Sequence, residues 1–195
     1  MAKQRAYLSE TVSQDRAQKK LSLKTRSFML AIVVLLLAGL AAAQGEKVTA
    51  TPVFSATFNG PVKTFTDENE AKTSSDDYYQ SFNKAKGIEQ TVIVRHINAD
   101  IPVDQSSLDY YADQATKHGE ILDDRRNGTI QGHIYTYVNL HNHKIDNVEH
   151  RKRLMAIILS PRLVMFLMVM APPAQDDGGA TDFAALTDSL TIKTK

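Results

Sequence analysis

Residues 163–171 read LVMFLMVMA, nine apolar side chains in succession, and their reading decides the fold. Ser160-Pro161 signals a turn before the run, and Pro172-Pro173 stops it. A short apolar run between turn signals is a strand. One that is apolar on both faces is central to its sheet and covered on both sides.

Three strands precede it in the same antiparallel sheet. Arg151–Leu159 leads into the Ser160-Pro161 turn. Before it, a polar connection from His141 to Asn147 follows an extended stretch over Thr129–Leu140. Asn127-Gly128 is a hairpin signal that joins this stretch to Ile121–Arg126. Asn127-Gly128-Thr129 also fits a glycosylation sequon, but the turn reading is preferred. Four strands in a row with tight turns make an antiparallel meander.

Upstream the period changes to that of a helix. Leu108, Tyr111, Ala112 and Ala115 fall on one face. Ser106 or Ser107 supplies the cap, Asp104 and Asp109 lie near the positive end, and Gly119 sits where a C′ glycine belongs. The expected helix covers 106–118. Further upstream, Thr91–Ile97 is β-branched and reads as a central strand. Tyr78–Lys86 is a strand region closed by Gly87. Residues 67–77, DENEAKTSSDD, read as an exposed acidic loop. Val53–Phe58 and Val62–Thr66 flank Asn59-Gly60-Pro61 and read together as an N-terminal hairpin. Glu46–Pro52 is an extended lead-in. Downstream, Gln175–Ala180 reads as a flexible loop. Thr181 or Asp182 then caps a last helix with Phe183, Leu186 and Leu190 on one face, and Leu190-Thr191-Ile192 ends as a short strand. The expected fold class is α+β: a central antiparallel sheet flanked by two helices, an α/β/α sandwich.

A second apolar run, FMLAIVVLLLAGLAAA over residues 28–43, lies near the N-terminus. Residues 1–43 hold seven Lys or Arg against Glu10 and Asp15. Positive flanks stay cytoplasmic, so the rest of the chain is expected to cross the membrane. Two readings compete. Ala41-Ala42-Ala43 supplies a small-residue site for cleavage of a signal peptide between Ala43 and Gln44. The alternative is an uncleaved signal anchor, although sixteen residues fall short of the roughly 17 that a spanning helix needs. The expected organisation is a basic n-region over 1–26, a signal peptide or anchor over 27–43, a linker over 44–52 and an exported globular domain over 53–195, periplasmic or extracellular. The chain has no cysteine. That excludes a lipid-attachment site and a disulfide scaffold, so the fold rests on its core alone.

Residues 44–195 hold sixteen basic and twenty acidic residues, a net charge of −4. An acidic domain gives no electrostatic reason to expect nucleic acid. Arg151-Lys152-Arg153 is a short basic cluster read as a strand start with solvated flanks. Five of six histidines lie between His118 and His150. His141 and His143, at i and i+2, would share a strand face, with His150 across the hairpin; imidazoles suit zinc or copper. Solvated histidines in a polar connection are the competing reading, because no carboxylate or cysteine completes a known ligand spacing. Asp76-Asp77, Asp123-Asp124 and Asp176-Asp177 read as solvated turns. Neighbours in a strand point to opposite sides, which does not suit acid/base catalysis. No G-x-S-x-G elbow and no phosphate loop occurs. Tyr78, Tyr79, Tyr110, Tyr111, Tyr135 and Tyr137 are candidates for a ligand cleft or for packing. Met155, Met165, Met168 and Met170 read as adaptable core filling.

The order of elements resembles the PsbP-like fold, shared by the extrinsic P subunit of the photosystem oxygen-evolving complex, Ran release factors and exported bacterial domains. Three features over residues 52–193 carry the resemblance: Phe54, Ala56, Phe58, Gly60 and Pro61 at the start, the LDYYADQATKHG segment (residues 108–119) before the meander, and Ala171-Pro172-Pro173 followed by FAALTDSLTI (residues 183–192). The resemblance implies a non-enzymatic adaptor or accessory role with no shared catalytic residues; the expected partner is an envelope protein, and no cofactor is expected. The alternative function is a metal or small-ligand binder built on His141, His143 and His150.

The preferred reading of residues 28–43 predicts a mature protein that begins at Gln44. N-terminal sequencing of protein from its own envelope tests this. A mature chain that begins at Met1 or Ala2 means a retained anchor instead.

Overall fold

The computed structural model describes residues 46–48, 51–68, 73–115 and 119–193. The apolar run over residues 28–43, the Ala43–Gln44 junction and His118 lie outside them. Among the described residues no helix is long and apolar enough to cross a membrane.

Residues 45–195 form one compact unit. Its elements are β1 (Glu46–Val48), β2 (Phe54–Phe58), β3 (Val62–Glu68), β4 (Ser74–Asn83), β5 (Ile88–Ile97), α1 (Gln105–Ala115), β6 (Ile121–Ile130), β7 (His133–Ile145), β8 (Val148–Ser160), β9 (Leu163–Ala171), a 3-10 turn (Pro173–Gln175), α2 (Asp176–Asp188) and β10 (Thr191–Ile192). A seven-stranded sheet runs in the order β3-β4-β5-β9-β8-β7-β6 and a small sheet in the order β1-β2-β10. All pairings are antiparallel. The apolar run over 163–171 is therefore the middle strand, with the expected meander β6-β7-β8-β9 on one side and the β-branched β5 on the other.

Alternation along the central strands sorts the core into two layers. Leu154, Ala156, Ile158, Val164 and Phe166 pack under Leu108 and Ala112 of α1. Met155, Ile157, Met165, Leu167 and Val169 face the other way, onto Phe183 and Leu186 of α2 and Phe54, Ala56 and Phe58 of β2. The sheet is thus covered by α1 on one face, and by α2 with the small sheet on the other.

Several local expectations are corrected. Asp104 caps α1, not Ser106 or Ser107: its carboxylate accepts from the Ser107 N–H at 2.9 Å and from the Ser106 hydroxyl at 2.8 Å. The helix is described through Ala115, and residues 116–118 of the expected span lie outside the described residues. Asn127-Gly128 is not a turn. Both lie inside β6, because Gly128 receives the Tyr135 ring from the facing strand; a Cβ there would sit 2.8 Å from that ring. The β6–β7 turn falls instead at Gln131 and Gly132, with φ 49° and 83°. Gln131 uses this turn to hold β10, donating to the Leu190 carbonyl (2.7 Å) and accepting from the Ile192 N–H (2.8 Å). The polar stretch His141–Asn147 is mostly strand, and the β7–β8 turn is only Asp146-Asn147, both left-handed at φ 50° and 64°.

The expected N-terminal hairpin does not form. β2 pairs with β1 and β10, while β3 pairs with β4. The Asn59 N–H is taken by the buried Gln90 side chain (2.8 Å), which also donates to the Asp182 carbonyl of α2 (3.1 Å). This bond ties the β2–β3 corner to the sheet and parts the two strands. The expected loop over Gln175–Ala180 is mostly helix, because Gly179 lets α2 lie against β9: a Cβ there would stand 2.7 Å from the Ala171 Cβ. The expected loop over residues 67–77 is shorter too, since β3 runs through Glu68 and β4 starts at Ser74.

Gln90→Leu keeps the volume but strips the Asn59 N–H and the Asp182 carbonyl of their partner. Stability should fall by about 1–3 kcal/mol per orphaned group. Urea unfolding checks this; an unchanged midpoint would show that the Gln90 bridge does not hold the corner.

Candidate functional site

Helix α1 lies over β7 and β8, and among the described residues it makes no comparable contact with β3, β4 or β5 on the same sheet face. Cross-strand register lines up what stands there. Phe65, Tyr78, Ile93 and Phe166 form one row, and Asp67, Asp76, Arg95 and Val164 the next. Phe65 and Tyr78 stack with centroids 4.6 Å apart and planes 6° apart. Phe166 is the deepest ring, and Tyr111 of α1 meets it edge-on at 5.6 Å. Phe65, Phe82 and Tyr110 are about half exposed at the margin.

Arg95 stands at the centre. Its Nε and Nη2 donate to Asp76 Oδ1 and Oδ2 at 2.8 and 2.6 Å, a two-pronged pair. Its guanidinium also lies 5.3 Å from the Phe166 centroid. The hydrogen bonds to Asp76 raise the Arg95 pKa. Burial raises the Tyr78 and Tyr111 hydroxyls, with the Asp76 carboxylate adding to both. Beside Arg95 a cleft of about 500 Å³ opens between Ile97, Asn98, Tyr110, Tyr111 and Gln114. Its arginine is locked to a carboxylate, and Tyr111 holds its proton more tightly than a free tyrosine. The arrangement can hydrogen-bond and stack against a bound molecule.

The histidines form a different arrangement. A bulge at Asn142, φ 62°, shifts the β7–β8 register between Leu140 and His143. His141 and His143 therefore do not share a face. His143 Nδ1 bonds Glu120 Oε1, which also accepts from Lys152 Nζ at 3.1 Å, beside the α1-side core. His141 Nδ1 bonds Asp123 (2.6 Å), whose other oxygen accepts from Arg151 (2.8 Å); Arg151 lies 4.0 Å from Asp176 of α2. His150 stands opposite His143 and bonds the Val148 carbonyl. Among the described residues no three His, Asp or Glu side chains converge as a metal site would require.

Carboxylates and basic residues read from sequence as solvated turns and flanks are partly internal. Asp76 is buried, and so is Glu120, which the sequence reading passed over and whose Oε2 is unpartnered. Arg153 is buried and donates to Asp176 Oδ1 at 2.6 Å. Of the six singled-out tyrosines, Tyr110 and Tyr111 line the cleft, and Tyr78 stacks on Phe65 on the same sheet face. Tyr79, Tyr135 and Tyr137 pack on the opposite, α2-side core. Sequence reasoning missed Arg95 and Asp76. The signal was present only as an acid and a base in two neighbouring strands, and it needs the strand register to be read.

No family model matches this chain, and no curated protein matches it in sequence. Among solved structures, LpqN of Mycobacterium tuberculosis, described as involved in cell envelope biogenesis, superposes with a TM-score of 0.53 at 13% identity, over 77% of this chain and 91% of that one. The cyanobacterial PsbP (CyanoP) of Synechocystis sp. PCC 6803 gives 0.51 at 12% identity, over 77% and 93%. The fold is PsbP-like, as the order of elements implied. At these identities the likeness is one of fold.

Burial lowers the His143 pKa, and the nearby Lys152 charge lowers it further, outweighing Glu120. Above about pH 6.5 the ring is neutral folded or unfolded and adds no pH dependence. Below that, the unfolded chain takes up a proton that the folded ring resists, so stability falls as pH drops. His143→Gln should shrink the stability difference between pH 7.5 and pH 5.5, measured by denaturant unfolding. An unchanged difference would assign the acid sensitivity to other groups.

Proposed function

We propose that the chain is an exported, envelope-associated accessory domain that binds a protein partner through the open half of the α1-side sheet face, without a catalytic step. One observation carries the reading: half-exposed Phe65 and Tyr110 flank a half-buried Arg95–Asp76 pair beside an open cleft. Aromatic and arginine side chains are the residues enriched at interface hot spots. The basic, apolar and Ala-rich order of residues 1–43 supports export. The similar structure of LpqN, described as acting in cell envelope biogenesis, supports an envelope setting.

A photo-cross-linking residue at Tyr110 or Gln114, in the full-length chain and in its own cells, should yield one discrete envelope adduct. The same group at Ala184, exposed on α2, should not. Arg95→Ala should lower the adduct at Tyr110 about tenfold, in the range of a hot-spot truncation. Equal labelling from Tyr110 and Ala184 would overturn the reading.

A further inference from the structure

The seven-stranded sheet ends in two edges, β3 and β6, and they differ in kind. β6 is irregular: a register shift falls between Leu122 and Asp124. Its charges are also engaged, Arg125 with Asp109 and Asp113, and Arg126 with Asp124. A bulge and charges blunt an edge against further pairing. β3 has no bulge along its seven residues and pairs with β4 in continuous register from Val62↔Ser81 to Glu68↔Ser75. Lys63, Thr64, Phe65, Thr66 and Asp67 are all exposed. Among the described residues no strand pairs with the outer side of β3 over Lys63–Asp67, and neither Lys63 nor Asp67 takes part in an ion pair.

The segment is self-complementary. Lys63-Thr64-Phe65-Thr66-Asp67 carries opposite charges two residues either side of a central ring, with a threonine between on each side. We propose that β3 is a homodimer edge, where two copies pair antiparallel about a two-fold axis at Phe65. That register sets Lys63 opposite Asp67 of the second copy twice, Thr64 opposite Thr66 twice, and ring opposite ring. All are favourable cross-strand pairs. Parallel pairing would set Lys63 against Lys63 and Asp67 against Asp67. Moving the axis to Thr64 or Thr66 puts a charge opposite Phe65 and breaks both ion pairs. The charge pattern therefore selects one orientation and one register, as an isologous interface requires.

The dimer joins two seven-stranded sheets into one. Lys63, Phe65 and Asp67 stand on the same face as Tyr78, so the stacked Phe65–Tyr78 pair of each copy meets at the axis in a row of four rings. The open, aromatic halves of the two α1-side faces become one continuous surface. This inference shares Phe65 with the partner-binding reading but concerns the strand edge and not the cleft, so the Phe65→Cys dimer and the Tyr110 adduct fail separately.

The cysteine-free chain makes the test clean. Residues directly opposite in an antiparallel pair lie about 4.5–5.5 Å apart at Cα, within disulfide reach. Full-length Phe65→Cys, mildly oxidised in intact cells, should become a disulfide dimer. Lys63→Cys alone should stay monomeric, and so should Asp67→Cys, whereas the two co-expressed with different tags should cross-link. In purified full-length protein, Lys63→Asp should weaken dimerisation at least tenfold by analytical ultracentrifugation. Lys63→Asp/Asp67→Lys should restore it, with the thermal melt unchanged in both. The proposal is overturned if Phe65→Cys gives no dimer, if Lys63→Cys alone cross-links as readily as the mixed pair, if the charge swap fails to rescue, or if Phe65→Cys is captured by a different polypeptide.

Discussion

The structure depends on burying strand β9 on both sides. Five of its nine side chains point into one core layer or the other with no more than a few per cent exposure: Val164 on one face, and Met165, Leu167, Val169 and Ala171 on the opposite one. A strand with two apolar faces needs neighbours in its own plane and cover above and below. β5 and β8 supply the first. The α1 helix supplies one cover, and α2 with β2 supplies the other. The remaining devices serve this requirement. Gly179 lets α2 approach Ala171, Asp104 starts α1 where Leu108 and Ala112 reach the sheet, and Gln90 pins the β2–β3 corner beside α2.

Charge inside the fold follows the same geometry. Arg95 meets Asp76 across β4 and β5, Lys152 meets Glu120 near the start of β6, and Arg153 meets Asp176 at the start of α2. A buried charge is costly unless a partner and hydrogen bonds compensate it. Each of these pairs joins two elements and is made only when they sit in the right register. On the α1 side the helix covers only half the sheet. The other half keeps its rings and the Arg95–Asp76 pair near the surface, and that asymmetry separates the packed region from the surface available to a partner.

The elements of the meander, the two helices and the place of residues 163–171 were legible from periodicity, because burial imposes a period that composition records. Turns were less legible. Asn127-Gly128 carries the strongest hairpin signature in the chain, yet Gly128 is spent on the Tyr135 ring, and Gln131-Gly132 makes the turn. Gly178-Gly179 reads as flexible until Ala171 stands opposite. Local preference there loses to a contact from a distant strand. The site was harder still. Asp76 looked like part of an acidic loop and Arg95 like one polar residue in a β-branched strand; only the register β4–β5 makes them one unit. The histidines were legible as a cluster in sequence. Their separation by the Asn142 bulge was not, since one extra residue reverses the face of everything beyond it.

By itself, the sequence determined the antiparallel α+β architecture, the PsbP-like order of its elements and the centrality of β9. These follow from hydrophobic period and from turn residues, which act over a few neighbours. It also set the acidic balance of residues 44–195 and the absence of any disulfide. Tertiary structure decided where strands turn, which strands share a sheet and which charges are buried together. It decided that one half of the α1-side face is left open around Arg95. These depend on pairing between residues far apart in the chain, where register and the close approach of a helix or a ring outweigh local preference.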